Sequence, residues 1–242
     1  MEENPYQAIK NNVGGTLNLL NAATDNGVQT FVNVSTDKAV NSRNVMGASK
    51  RINELLVRKM ARSENQKANF LSVRFGNVFG SSGSVGPIFV KQILSGGPVT
   101  VTHPDMTRFM MSISEAAQLV LVASTLPKAQ DGIFLLDMGQ PIKILDLASV
   151  MSRKFGFQKN EIPIQITGIR PGEKIHEVLN TSNETLNPTS NQRILMVHDR
   201  EVVDDVMAKV EKLITLKPST DSKEIQTMLQ EIVHDYSYSQ GS

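Results

Sequence analysis

Between Asn4 and Phe75 a stretch of helical periodicity, a short apolar run, a second helical stretch and a second apolar run follow one another. Ile9, Val13, Leu17 and Leu20 recur at intervals of four, four and three, one face of an amphipathic helix that Asn4 can cap and Pro5 can open. Phe31–Val34 and Phe70–Phe75 read as buried strands, with a helix from about Met46 to Ser63 between them. Parallel strands need a crossover of a dozen or more residues, usually a helix. The alternation therefore predicts an α/β chain built on a parallel sheet. Gly14 and Gly15 fall inside the first helix at a cost of about 1 kcal/mol each relative to Ala. Close packing against another backbone, or a kink, would explain them.

After the Gly/Ser loop Gly80–Gly86 the pattern loosens. Helices are expected from Pro87 to Ser95 and over Ser114–Leu126, Ile144–Phe155, Glu201–Ile214 and Thr220–His234. Short strands are expected near Val99–Thr102, Phe109–Ser112, Ile133–Met138 and Ile164–Thr167. Thr181–Gln192, rich in Asn, Thr and Ser, reads as a loop, and Ser237–Ser242 as a disordered tail. The 242 residues suit one large or two small domains. The expected division is 1–86 and 87–236, with 132–140 returning to the sheet of the first part and 237–242 as tail.

Several function classes drop out on composition. With no Cys there is no disulfide scaffold, cysteine nucleophile or thiolate metal site. Twenty-five Lys plus Arg against 24 Asp plus Glu leave a charge of +1, which gives no nucleic-acid footprint. The four His show no metal-ligand spacing, so no metal is expected, and no G-x-S-x-G elbow is present. Ala116–Leu126, the longest apolar stretch, is interrupted by Gln118, Ser124 and Thr125. It falls short of the roughly 18 residues of a membrane span. With no apolar leader after Met1 either, a cytoplasmic location is expected.

The segment from Phe31 to Lys50 reads F-V-N-V-S-T-D-K-A-V-N-S-R-N-V-M-G-A-S-K: a strand ends in hydroxyls and a carboxylate, and Met46 and Lys50 then lie one helical turn apart. N-N-V-G-G-T-L-N-L-L precedes it, and R-F-G-N-V-F-G-S-S-G-S-V, T-H-P-D-M-T-R-F and I-R-P-G-E-K follow in order. Over Asn4 to about Val197 this ordered set resembles the extended short-chain dehydrogenase/reductase family. Within it, the likeness is to the polysaccharide-biosynthesis branch of UDP-N-acetylglucosamine 4,6-dehydratases and related nucleotide-sugar epimerases. The resemblance implies a partial Rossmann-like parallel sheet, 1–86 being the C-terminal part of the NAD(P)-binding domain, followed by a small α/β region that binds a nucleotide sugar. No G-x-G-x-x-G follows a strand, so the glycine-rich front of that sheet is expected to be missing.

It further implies a bound NAD or NADP, a UDP-N-acetyl sugar as substrate and a homo-oligomeric parent. In such enzymes the sugar 4-hydroxyl is oxidised, the ketone acidifies carbon 5, water leaves from carbon 6, and the hydride returns there. Asp37 and Lys38 match the family's acid and base, with Lys38 the carbon-5 base only if burial or a nearby positive charge lowers its pKa. Ser35 and Thr36 could orient the 4-hydroxyl. Lys50 matches the lysine that bonds the nicotinamide ribose. Four residues before it the common family tyrosine is replaced by Met46, which cannot exchange a proton. Asn12 and Phe75 match positions near the cofactor. Asn77, Arg108 and Arg170 match residues facing the diphosphate, and Glu173 the acceptor for the uridine ribose. Read in isolation, each has a plainer alternative: a turn after a strand, a core Met beside a surface Lys, a solvated Asn, surface ion pairs.

Overall fold

The computed structural model describes residues 1–63, 67–128, 131–201 and 205–238. The chain opens with α1 (Pro5–Ala8), a π-helical stretch (Ile9–Gly14) and α2 (Gly15–Asp25), followed by β1 (Thr30–Val34), a single 3-10 turn (Asp37–Ala39), α3 (Val45–Ala61) and β2 (Asn69–Arg74). Next come β3 (Asn77–Phe79), α4 (Val85–Leu94), β4 (Val99–Val101), β5 (Thr107–Arg108), β6 (Met110–Ser112) and α5 (Ile113–Thr125). Then follow β7 (Ile133–Leu136), β8 (Ile142–Lys143), α6 (Ile144–Lys154) and β9 (Ile164–Ile166). The last elements are β10 (Glu184–Pro188), β11 (Ile194–Asp199), α7 (Val206–Ile214) and α8 (Ser222–Ile232).

Two compact units result. The first takes Met1–Phe75, Leu119–Asp137 and the stretch from Val178 onward; the second takes Gly76–Gln118 and Met138–Glu177. The division expected at residue 86 thus moves to Phe75. The end of the expected second region, from Val178, belongs to the first unit because its strands complete that unit's sheet. Of the expected tail, Ser237 is anchored through its N–H to Ser42 O (2.9 Å), and residues 239–242 lie outside the described residues.

The sheet of the first unit runs β1-β2-β7-β11-β10. β1, β2 and β7 are mutually parallel neighbours, while β11 is antiparallel to both β7 and β10. This is the α/β architecture with a parallel sheet that the alternation predicts, and its Rossmann-like character is what the resemblance implies. Every residue of β7 is buried, as is all of β2 but its first, as expected where both faces of a parallel strand are covered. Ile9, Val13, Leu17 and Leu20 enter one core with Ile52, Leu55 and Leu56 of α3 and Val210, Leu213, Ile225 and Leu229 of the last two helices. Burying each such side chain contributes about 1.5–3 kcal/mol. The first helix departs from one regular α-helix by its π-helical turn, which ends at Gly14. Neither glycine is there for a close backbone approach. A Cβ on Gly14 would make ordinary contact with Ile214 (3.8 Å), and one on Gly15 would meet nothing within 4 Å.

Thr181–Gln192, expected as a loop, contains β10, and β11 is a strand the sequence did not announce. β10 is an edge strand with one buried residue in five, so it lacks an apolar alternation, and its Pro188 is tolerated because no further strand needs that N–H.

In the second unit, β3 pairs with β6, β4 with β9, and β5 with β8, each as a separate two-stranded piece. Phe89 and Ile93 of α4 pack with Val99, Val101, Met106 and Ile144 in its core. Such short pairings leave little periodicity to read.

Candidate active site

The parallel ladder of β1 and β2 runs past its last strand residues. Ser35 N–H donates to Val73 O (2.8 Å) and Asp37 N–H to Phe75 O (3.0 Å), so the turn after β1 is fixed to the tip of β2. This is the carboxyl end of the parallel strands, where open α/β sheets bind ligands. Asp37 is fully buried there. Its Oδ1 accepts from Thr36 Oγ1 (3.0 Å) and from Lys38 Nζ (2.9 Å), whereas its Oδ2 is buried with no partner among the described residues. Unpartnered buried oxygens are rare in proteins, so this one calls for an explanation. Lys38 is one quarter exposed at its side chain and its ammonium contacts the Asp37 carboxylate, so this contact supplies neither of the two conditions set for its base role, burial or a nearby positive charge.

Helix α3 holds this turn at close range. Asn44 caps it by accepting from Gly47 N–H (2.8 Å), and Glu2 Oε1 accepts from Val45 N–H (2.8 Å). Gly47 lies against the backbone of the turn: a Cβ there would collide with the Lys38 carbonyl oxygen. Lys50 Nζ donates to Val34 O at 2.9 Å, which places its ammonium at the tip of β1. Burial lowers the Lys50 pKa, and the Glu54 carboxylate pulls it partly back. Met46 lies in the first turn of α3, half-buried, and Phe75, also half-buried, meets the turn through its carbonyl. Asn12 does not reach Lys50. Its side-chain amide donates to Ser49 Oγ (2.9 Å), and its backbone carbonyl accepts from the Asn53 side-chain amide (3.2 Å), so it ties the π-helical turn to α3.

Sequence reasoning missed what lies beneath. Ser35 Oγ donates to Glu54 Oε1 at 2.6 Å, and Glu54 is gripped by Arg74 and Arg51. Arg74 continues to Glu184 of β10, and Arg51 and Arg58 to Asp199 of β11. All of these side chains are buried, and removing one partner of such a pair costs about 3–5 kcal/mol. The available signal was spacing alone: Lys50 and Glu54 share a helix face.

The four residues matched to the nucleotide sugar all belong to the second unit. Asn77, Arg108, Arg170 and Glu173 line one cavity of about 220 Å³, together with the apolar side chains of Phe79, Ile88, Met106 and Met110. Arg108 is almost buried, and its guanidinium is set by Thr107 O (2.8 Å), Ile175 O (3.2 Å) and Glu173 Oε1 (3.4 Å). Glu173 also accepts from Arg170 N–H at 3.1 Å, which closes the Arg170–Glu173 turn. Asn77 donates to Phe109 O (3.3 Å). Ser84, just before α4, adds a buried hydroxyl to the same cavity with no partner among the described residues.

Known proteins similar to this chain give its family. The probable polysaccharide biosynthesis protein EpsC of Bacillus subtilis is 53% identical over 184 residues, 76% of this chain and 30% of that protein. The capsular polysaccharide biosynthesis protein CapD of Staphylococcus aureus is 45% identical over 239 residues, 98% of this chain and 36% of that protein. The chain therefore spans about a third of the length of these curated relatives. The crystal structure of Pen from Bacillus thuringiensis superposes with a TM-score of 0.69 at 31% identity, covering 88% of this chain and 69% of that one. The sequence profile of the family described as polysaccharide biosynthesis protein matches residues 1–199, from the first helix through β11, and to that family this chain belongs.

Proposed function

We propose that this chain carries the proton-transfer groups and the nucleotide-sugar pocket of a UDP-N-acetylglucosamine 4,6-dehydratase, or of an enzyme acting on a related UDP-N-acetyl sugar, in surface polysaccharide synthesis. The observation that carries this reading is the Asp37–Lys38 pair, a buried carboxylate with one unpartnered oxygen in contact with an amine at a strand tip. One proton moving along the 2.9 Å contact converts carboxylate and ammonium into carboxylic acid and amine, with no change in net charge. In that form both roles are filled. Lys38 removes the proton at carbon 5 while Asp37 protonates the departing 6-hydroxyl, which leaves as water. Lys38 then returns its proton to carbon 5. The proton lost by the 4-hydroxyl balances the one that leaves with water. Thr36 Oγ1 donates to Asp37 Oδ1 and accepts from Lys38 N–H (3.4 Å), which leaves one lone pair to accept from the 4-hydroxyl and lets Thr36 stand in for Met46, which cannot exchange a proton.

A nicotinamide dinucleotide, NAD or NADP, would supply the hydride acceptor. The residues present fit its nicotinamide-ribose end: Lys50 spends one of its three N–H groups on Val34 O and keeps two for ribose hydroxyls. In the second unit, Arg108 and Arg170 offer planar forks to a diphosphate, and the Glu173 carboxylate offers acceptors to a ribose. The test is to incubate the full-length protein with UDP-N-acetylglucosamine and follow product mass. Loss of one water, abolished in Asp37→Asn and Lys38→Met, is expected. An isobaric product would replace this reading with an epimerase, which needs no proton removal at carbon 5.

A further inference from the structure

The buried charges under the turn after β1 are more than a stability device, since buried ion pairs often contribute little net stability. Arg74 spends all five of its N–H groups: Nε on Glu54 Oε1 (3.0 Å), Nη2 on Glu54 Oε2 (2.7 Å) and Glu184 Oε1 (2.9 Å), and Nη1 on Glu184 Oε2 (2.8 Å) and Leu179 O (3.1 Å). Arg51 Nη1 adds a further donor to Glu54 Oε2 at 3.0 Å. Glu54 is thereby fixed from below, and above it accepts one more hydrogen bond, from the buried Ser35 hydroxyl at 2.6 Å. A hydroxyl donating to an ionised carboxylate makes a bond roughly twice as strong as a neutral one. One turn earlier on the same face of α3, Lys50 holds Val34 O. Helix α3 thus grips two successive residues, Val34 and Ser35, immediately ahead of Thr36, Asp37 and Lys38.

We propose that Glu54 is a positioning residue: clamped by Arg74 and Arg51, it anchors Ser35 and so sets the direction in which Asp37 and Lys38 leave the sheet. The inference rests on the reading of Asp37 and Lys38 as the proton-transfer pair. Its structural half, the anchoring of the turn, stands apart from any reaction. Gln at position 54 could still accept from Ser35, but its amide N–H₂ would then face the donors of Arg74 and Arg51. Ala at position 35 removes the anchor and leaves every arginine contact of Glu54 in place.

The test uses Ser35→Ala, Glu54→Gln and the double variant in the full-length protein. Amide hydrogen exchange is read for the segment 34–39 against β7 in the same molecules, and kcat and KM are measured with UDP-N-acetylglucosamine. Exchange in 34–39 is expected to rise about tenfold in Ser35→Ala while β7 is unchanged, and kcat to fall about tenfold with KM within about twofold. In exchange of 34–39 and in kcat the double variant should add little to Ser35→Ala, because Glu54 reaches the turn through the Ser35 hydroxyl, which that change has already removed. Exchange in 34–39 that stays at the wild-type rate in Ser35→Ala, or effects that add in the double variant, overturns the proposal. If Glu54→Gln does not fold, Ser35→Ala decides. A wild-type protein inert toward the sugar nucleotide defeats the functional reading alone, and the exchange comparison then judges the anchor.

Discussion

Replacing Gly47 by Ala sets two effects of opposite sign against each other. Inside a helix the change should stabilise by about 1 kcal/mol, because Ala loses less backbone freedom on folding. Gly47, however, faces the Lys38 carbonyl oxygen, with the Lys38 carbonyl carbon 3.1 Å and Asn44 Oδ1 3.3 Å from where the Cβ would be. The obstruction is backbone, so no rotamer change relieves it, and overpacking of this kind costs about 1–3 kcal/mol. The second effect wins. We expect Gly47→Ala to be destabilised by up to about 2 kcal/mol in urea unfolding. Gly15→Ala, whose Cβ meets nothing within 4 Å in a helical conformation, should gain about 0.5–1 kcal/mol and serves as the control. The clash also pushes the turn bearing Asp37 and Lys38, and a displacement of about 1 Å at a reacting group can cost about a hundredfold in rate. A Gly47→Ala protein that gains stability as Gly15→Ala does, with full turnover, would refute the close packing of α3 on the turn.

Two further outcomes follow from the charges. Burial pushes the Glu54 carboxyl up, but Arg74, Arg51 and the Ser35 hydroxyl together pull it down to about 2. A folded-state pKa below the unfolded one means that this stabilisation is complete above about pH 5 and drains away as pH falls toward 2. Its size is about 3 kcal/mol, so urea midpoints of the wild type should drop steeply over that window, and an unchanged midpoint would contradict the network. Arg108→Lys keeps the charge but loses the planar fork set by Thr107 O and Ile175 O, so KM for the UDP-sugar should rise about tenfold with kcat little changed.

The sequence discloses elements whose burial is one-sided or complete, and hides those that owe their existence to pairing. Ile9, Val13, Leu17 and Leu20 mark their helix because one face meets a core, and Phe70 to Val73 mark β2 because both faces do. Glu-Thr-Leu-Asn-Pro of β10 carries no such mark, since its conformation comes from hydrogen bonds to β11 rather than from its own side chains. The π-helical turn leaves the apolar spacing intact and is equally silent. At the site, Thr36, Asp37, Lys38 and Lys50 lie within one short segment, and the family resemblance that this segment carries is what singles them out. The support beneath them joins Arg51 to Asp199 and Arg74 to Glu184, partners brought together only by the finished sheet.

The route of the chain has an evolutionary corollary. The cavity-bearing unit is made of two excursions, Gly76–Gln118 and Met138–Glu177, and after each the chain comes home to a framework that already contains the turn bearing Asp37 and Lys38. On the proposed reading, insertions, deletions and side-chain drift within those excursions would retune ligand choice while the reaction chemistry stays encoded elsewhere. A lineage built this way would then diversify its sugars without reinventing its catalyst.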